Sequence, residues 1–367
     1  MTVILVNATA MRSSGALSIL KQFILNIPLE FGHTYYIFID PEIVLPIEST
    51  NIKIIPINTR KWSKRIMWDS WGIRKWICRN NIQPSLIISL QNTGINYSEA
   101  VPQLIYYHQL LPLSNHSWNF LKKEELILFI YKHFYSFFVS LYKHKNTYYV
   151  VQIPSIKKEF LRKFKVEEEK VYIIPPTVPF VEYNDFDCIR FEDGKTHFIY
   201  PATLFIYKNH TILLKALQIL KRENSEIYNN IRIHLTINKE DALSIDGFDE
   251  IMDAIVFEGV IPFKQLMSYY KSMDALLFPS YIEAFGLPLL EAAGVVLPII
   301  ASDLPYAHDV VGEYEGTTYV NYKDAKAWAL AIKEMCVNKR KYESYKYLSN
   351  KGNWKTFFEL VEKIKNK

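Results

Sequence analysis

Twelve short apolar runs alternate with segments of helical periodicity along this 367-residue chain, and that alternation restricts it to a layered α/β architecture. The runs fall at residues 3–6, 35–39, 52–55, 86–89, 104–107, 148–151 and 171–174, and again at 197–200, 231–236, 254–257, 275–278 and 298–301. Uninterrupted apolar runs of this length suit strands buried on both faces, as in a parallel sheet covered by helices. A first helix is expected over about residues 16–26, after a polar turn that contains Gly15. Between the two series stand Pro175 and Pro176 and then a polar, aromatic, poorly periodic stretch. Two domains follow: residues 1–176, a linker at 177–196, residues 197–350, and a C-terminal helix at 351–367 whose Trp354, Phe357, Phe358 and Val361 have helical spacing. The length agrees, because a single core gives way to several beyond about 250–300 residues. Two such domains are expected to turn their strand C-termini toward a shared cleft.

With 49% hydrophobic residues the chain has ample material for packed cores and is far from disordered composition. Cys78, Cys188 and Cys336 are odd in number, widely spaced and without metal-binding intervals, which suits a reducing cytoplasm. The opening MTVILVNATAM passes from a short apolar run straight into polar residues, so no secretory signal is expected. No apolar run approaches the roughly 18 residues of a membrane span. Charge divides unevenly: residues 1–180 hold 21 Lys and Arg against 12 Asp and Glu, a net of +9, whereas the remainder nets −4. Much of the excess lies in residues 60–79, RKWSKRIMWDSWGIRKWICR, where Trp62, Trp68, Trp71 and Trp76 interleave with seven basic residues. Such a segment suits an anionic membrane surface or single-stranded nucleic acid; equally, it suits a helix that buries its tryptophans and solvates its charges.

Residues 278–292, FPSYIEAFGLPLLEA, end a buried strand, turn through Gly286 and start a helix at Leu287 or Pro288 between two glutamates. Amides at residues 285–289 are expected to face a ligand, as a helix N-terminus attracts a diphosphate. Glu283 is placed on the loop and Glu291 in the first helical turn, two acceptors suited to a polyhydroxylated ligand. The segment resembles the E-x7-E signature of the retaining glycosyltransferases of family 4, which have the GT-B fold of two Rossmann-like domains. By that resemblance Glu283 meets the transferred sugar, Glu291 holds the ribose, and Phe285, Gly286 and Leu287 belong to the donor site.

The resemblance extends weakly over residues 1–180 and well over about 197–335. In YPATLFIYKNHTIL, residues 200–213, it assigns Lys208 to the donor diphosphate, and Thr203 stands where many relatives carry a second cation, an arginine. In IYYHQLLP, residues 105–112, it sets His108 against the donor sugar. Within AMRSSGA, residues 10–16, it marks Ser14 and Gly15 as a small loop near phosphates and acceptor. The strand-loop 257–262, FEGVIP, resembles the stretch that holds the base by main-chain contacts, including Ile261. It further implies that the C-terminal helix crosses back onto the first domain. Asp185 and Asp187 form a D-x-D, the divalent-ion pattern of another glycosyltransferase architecture, but they lie in the linker rather than at a strand end.

What the resemblance implies is a retaining, metal-independent transfer of a hexose or deoxyhexose from a nucleotide-sugar to a saccharide, without a further cofactor. The basic, aromatic first half points to a polyprenyl-diphosphate-linked acceptor at the inner face of an anionic membrane, as in O-antigen or capsule assembly, with the protein cytoplasmic or peripheral and no nucleic-acid partner. An epimerase or phosphorylase of the same fold, and a non-enzymatic membrane or nucleic-acid binding module, stand as alternatives.

Overall fold

The computed structural model describes residues 2–12, 14–45, 49–176, 186–242, 245, 247–338, 342, 345 and 353–367, without the side chain of Ser14. The chain divides into two compact units: Met1–Thr177 with Ser349–Lys367, and Val178–Leu348.

The first unit holds seven strands: β1 (Val3–Asn7), β2 (Thr34–Ile39), β3 (Ile52–Pro56), β4 (Leu86–Ser89), β5 (Gln103–Tyr106), β6 (Thr147–Val151) and β7 (Val171–Ile173). They lie in the order β3-β2-β1-β4-β5-β6-β7, every pair parallel. Parallel neighbours need crossovers, and the segments after β1, β3, β5 and β6 supply them with helices. Strands β4, β5 and β6 are buried along their whole length, which explains runs without polar alternation. The last helix, Trp354–Lys365, belongs to this unit, as the resemblance implied. Its Trp354, Phe357 and Phe358 rings close on Phe23 at 5.8, 5.9 and 5.3 Å, and its Glu362 Oε1 lies 2.6 Å from His33 Nε2. The Asn353 side chain caps its first turn by accepting from the Thr356 amide at 3.2 Å.

The second unit repeats the arrangement. Strands β8 (Thr196–Tyr200), β9 (Ile231–Leu235), β10 (Ile255–Phe257), β11 (Ala275–Phe278), β12 (Ile299–Ser302) and β13 (Thr317–Val320) form a parallel sheet in the order β10-β9-β8-β11-β12-β13. All twelve expected strands appear within a residue of their expected ends; β13 is the addition, an edge strand in which only Val320 is buried. Of the expected linker, residues 177–185 lie outside the described residues, and with them Asp185. Its remainder is packed on this unit: the Ile189 amide donates to Ser272 Oγ at 2.7 Å, and Phe191 stacks on His197 with centroids 4.0 Å apart. Asp187 is exposed.

Both sheets run outward from their first strand through two neighbours, then return to add the fourth strand on its other side. Each therefore has a reversal of strand order beside its first strand, between β1 and β4 and between β8 and β11, the place where a crevice opens at the strand C-termini of such sheets.

Candidate functional site

At the reversal point of the second unit, the turn after β8 carries Lys208 and the turn after β11 carries Glu283. Lys208 Nζ donates to Glu283 Oε1 at 2.5 Å, with only 18% and 12% of the two side chains exposed. Three bonds between the turns hold this pair: the Tyr281 amide donates to Tyr207 O at 2.9 Å, Asn209 Nδ2 to Pro279 O at 3.2 Å, and the Tyr200 and Ser280 hydroxyls meet at 3.0 Å. Asn209 takes a left-handed φ of 59°, which asparagine tolerates, and its side chain also donates to Tyr322 O at 2.9 Å. None of Tyr200, Asn209, Ser280 or Tyr281 was singled out from the sequence, because buried tyrosines and loop amides read there as core and turn.

The helix Leu287–Gly294 begins where expected, behind Gly286 at φ 81°. A Cβ at Gly286 would sit 3.1 Å from Leu289 Cδ1, so the position favours glycine on both counts. The five expected amides reduce to three at most: Pro288 has none, and the Leu289 amide donates to Gly286 O at 2.9 Å. Glu291 is not in the first turn; it is the fifth helical residue, buried, and its Oε2 accepts from the Tyr270 hydroxyl at 3.1 Å. Burial lifts its carboxyl to about 7, against a smaller lowering by Tyr270. Among the described residues Tyr270 is its one side-chain donor, and a carboxyl has further lone pairs for hydroxyl donors. Thr203 is exposed, with its carbonyl accepting from the Phe205 amide at 2.9 Å. Ile261 is half-buried on the loop after β10, whose Glu258 is tied down by Tyr269 and His234 at 2.5 and 2.6 Å. The structure thus gathers into one ion pair Lys208 and Glu283, to which the resemblance assigns separate tasks.

In the first unit, His108 follows β5, its amide donating to Asn92 Oδ1 at 2.6 Å. Desolvation, with a smaller push from the Arg65 charge, lowers its imidazole to about 4, so the neutral ring prevails near pH 7. Gly15 is not a turn residue; it lies exposed in the first turn of the helix Ser14–Leu25, and a Cβ there would meet nothing within 4 Å. The reversal point between β1 and β4 is occupied by Asp69, a buried carboxylate that accepts from Asn7 Nδ2 at 2.8 Å, Gln91 Nε2 at 3.1 Å and Thr93 Oγ1 at 3.3 Å.

The basic segment divides its residues. It forms helices Trp62–Met67 and Ile73–Arg79 joined by the π-helical turn Trp68–Gly72. Trp68 and Trp76 pack edge-on against Phe38 at 5.2 and 4.9 Å, while Trp62 and Trp71 are exposed. Lys61, Lys64, Arg74, Lys75 and Arg79 face solvent, Arg60 pairs with Asp40 at 3.1 Å, and Arg65 turns inward. Beside it the helix Lys123–Leu141, a core element by its buried Leu128, Tyr135 and Val139, exposes a second apolar stripe of Ile127, Ile130, Phe134, Phe137 and Leu141. No helix among the described residues is long and apolar enough to cross a membrane, and none of their His, Cys, Asp and Glu groups is arranged to hold a metal ion.

Two parallel sheets of this order belong to the GT-B fold, and solved structures of that fold match 90% or more of the chain. WaaG, a glycosyltransferase involved in lipopolysaccharide biosynthesis, superposes with a TM-score of 0.64 at 12% identity over 90% of each chain. Anabaena HepE in complex with UDP gives 0.63 at 12% identity over 99% of each. Residues 184–353 match the family model of glycosyl transferases group 1. Among curated proteins the chain resembles the O-antigen chain mannosyltransferase RfbU of Salmonella typhimurium, 27% identical over 208 residues, 56% of each chain. The match therefore spans about half the length of that relative.

Proposed function

We propose that this protein is a retaining, metal-independent glycosyltransferase that moves a hexose or deoxyhexose from a nucleotide-sugar to a saccharide carried on polyprenyl diphosphate, in O-antigen or capsule assembly. The observation that carries the reading is the Lys208–Glu283 pair, cross-braced at the reversal point of the sheet in the region that the group 1 family model matches. A nucleotide-sugar entering there meets a carboxylate for its sugar hydroxyls and an ammonium for its diphosphate. When the sugar–phosphate C–O bond breaks, negative charge grows on the departing oxygen, and preorganised donors such as Lys208 and the amides of Gly286 and Leu287 stabilise it. On the same face the acceptor oxygen forms the new C–O bond and passes its proton to the leaving phosphate, which gives retention without an enzyme nucleophile. Glu291 grips the ribose, and His108, neutral near pH 7, offers a hydrogen bond to the sugar without adding charge.

The membrane side of the proposal rests on the exposed stripe of the helix Lys123–Leu141 beside the solvated lysines and arginines of residues 60–79, an apolar surface with cations around it. The protein acts from the cytoplasmic face as a peripheral enzyme.

A panel of UDP-, GDP- and dTDP-sugars, scored first by thermal shift and then by transfer to lipid-linked acceptor, tests the reading. A true donor raises the melting temperature by mass action and is consumed only when acceptor is present. No stabilisation by any nucleotide-sugar overturns it; turnover without acceptor indicates an epimerase, and phosphate-dependent turnover a phosphorylase.

A further inference from the structure

The second unit holds an unbroken hydrogen-bonded chain of polar side chains that the proposed transfer does not use. Asp193 Oδ1 lies 2.9 Å from His197 Nε2, His197 Nδ1 lies 2.9 Å from His234 Nε2, and His234 Nδ1 lies 2.6 Å from Glu258 Oε1. The other Glu258 oxygen accepts from the Tyr269 hydroxyl at 2.5 Å. The bonds thus pass from the segment before β8 through β8 and β9 to the loop after β10 and the helix Phe263–Ser272. Both imidazoles are buried, while 40% of the Asp193 side chain is exposed against 16% of Glu258.

An imidazole nitrogen either donates or accepts a hydrogen bond, and a carboxylate only accepts. The links Asp193–His197, His197–His234 and His234–Glu258 each need a proton, whereas two neutral rings between two carboxylates supply one each. One link would then set lone pair against lone pair. The complete series of bonds therefore holds one proton more than the neutral rings bring, and that proton belongs to the pair. Burial lowers the His234 imidazole, with Glu258 acting against it, so His234 takes the neutral form that donates through Nδ1 and accepts through Nε2. His197 then donates at both nitrogens. Against an upward push from burial, the His197 bond, the Lys195 amide and the Arg232 charge hold Asp193 below the usual carboxylate range. Asp274 accepts from the His197 amide at 2.8 Å and adds a carboxylate on the β11 side.

Phe191 stacks on His197 at 4.0 Å and lies 5.2 Å from His234, and Asp193 Oδ1 also accepts from the Lys195 amide at 3.1 Å, so this proton bears on how residues 191–195 are held. When it is lost, His197 keeps its remaining N–H on the buried His234, out of reach of solvent, and gives up Asp193, which water can solvate. We propose that these bonds form a proton-dependent latch, which ties residues 191–195 to β8 and β9 while the His197–His234 pair holds its extra proton and releases them at Asp193 when alkali removes it. The segment just before stays tied, because Lys271 Nζ donates to Phe186 O at 2.5 Å and the Ile189 amide to Ser272 Oγ at 2.7 Å, bonds that neither histidine touches. The latch does not rest on the transferase reading.

Two measurements on the full chain test it between about pH 6 and about pH 9, the range in which histidine changes charge. Nitrogen NMR of histidine-labelled protein should show His197 and His234 losing one shared proton in a single transition. Amide hydrogen exchange at residues 191–195, corrected for its intrinsic pH dependence, should quicken about fivefold or more through that transition, while the Ile189 amide stays unchanged. Asp193→Asn should remain slow and lose the pH dependence, because a carboxamide accepts from His197 when the pair is charged and donates to it when the pair is neutral. Asp193→Ala should exchange fast at every pH. Two rings that titrate independently overturn the proposal, as does wild-type exchange that is flat in pH or an Asp193→Asn variant that follows the wild-type profile. Should either variant fail to fold, the wild-type ring titration and exchange still decide.

Discussion

The two sheets share one strand order and use its reversal point in opposite ways. Between β8 and β11 the crevice holds Lys208 and Glu283, partners that a ligand can separate and share. Between β1 and β4 the same place is filled by Asp69, whose oxygens are taken by side chains on both strand ends. Topology therefore makes an opening available, and the residues delivered to it decide whether it becomes a binding site or a structural tie. The environments differ accordingly. In the second unit burial lifts Glu291 to about 7, and in the first it lowers His108 to about 4, so burial shifts both groups toward their neutral forms.

The contrast can be broken first at Asp69. Asp69→Ala strands the donors of Asn7, Gln91 and Thr93 and leaves Arg65 without its nearest opposite charge, so urea denaturation should show a loss of about 3–5 kcal/mol. A loss under about 1 kcal/mol, the size expected of an exposed ion pair, would remove the distinction between tie and site.

Glu283→Gln tests the other crevice. Transfer should fall by about 10²–10³-fold, the scale of removing one preorganised polar contact in a transition state, while the nucleotide-sugar dissociation constant stays near that of the wild type. Wild-type turnover in this variant would show that the β8–β11 pair is a structural tie as well.

Glu291 sharpens the comparison through pH. Its folded-state carboxyl, raised to about 7 from an ordinary 4.5, keeps its proton where the unfolded chain has lost it. Stability from this group is thus greatest below about pH 4.5, declines as pH rises toward 7 and levels off above. Glu291→Gln, which keeps an acceptor for Tyr270, should leave stability unchanged at pH 4.5 and raise it by up to about 3 kcal/mol at pH 8. Nucleotide affinity in the wild type should rise with pH through 7, because the ionised carboxylate is the form that accepts the ribose hydroxyls. A flat difference between pH 4.5 and 8 would contradict a burial-raised carboxyl.

The smallest effect is expected at the surface. Exchanging Lys61, Lys64, Arg74 and Lys75 for glutamine should lower partition onto anionic vesicles by about tenfold at low salt and less at physiological salt, since such attraction is screened within about 8–10 Å. Co-sedimentation measures it. Unchanged partition would mean that these charges only solvate a helix face and that the Lys123–Leu141 stripe acts without them.

The strand series was legible because a parallel strand buried on both faces must be apolar throughout, and each such run appears in the chain as an unbroken patch. β13 was not, because TTYV at a sheet edge carries no such patch. The glutamate spacing and the glycine turn of residues 278–292 were legible for a local reason: strand, turn and helix start are consecutive, and Gly286 answers a backbone requirement within its own loop. Gly15 misled because a glycine in a helical first turn and one in a tight turn look alike in one dimension.

What the chain determined by itself was the repeating strand and helix units and the residues that stand at their ends, because these follow from local periodicity and backbone preference. Which ends meet was decided in three dimensions. Lys208 and Glu283 are 75 positions apart and touch because β8 lies beside β11; Tyr270 reaches Glu291 because the helix Phe263–Ser272 brings it there. Asp69 and Arg65 sit four positions apart on one short helical segment, yet their partners come from the ends of β1 and β4 and from the helix Lys123–Leu141. Charge, burial and proton affinity are properties of those long-range neighbours, since desolvation and Coulomb energy depend on distance in space and not on distance along the chain.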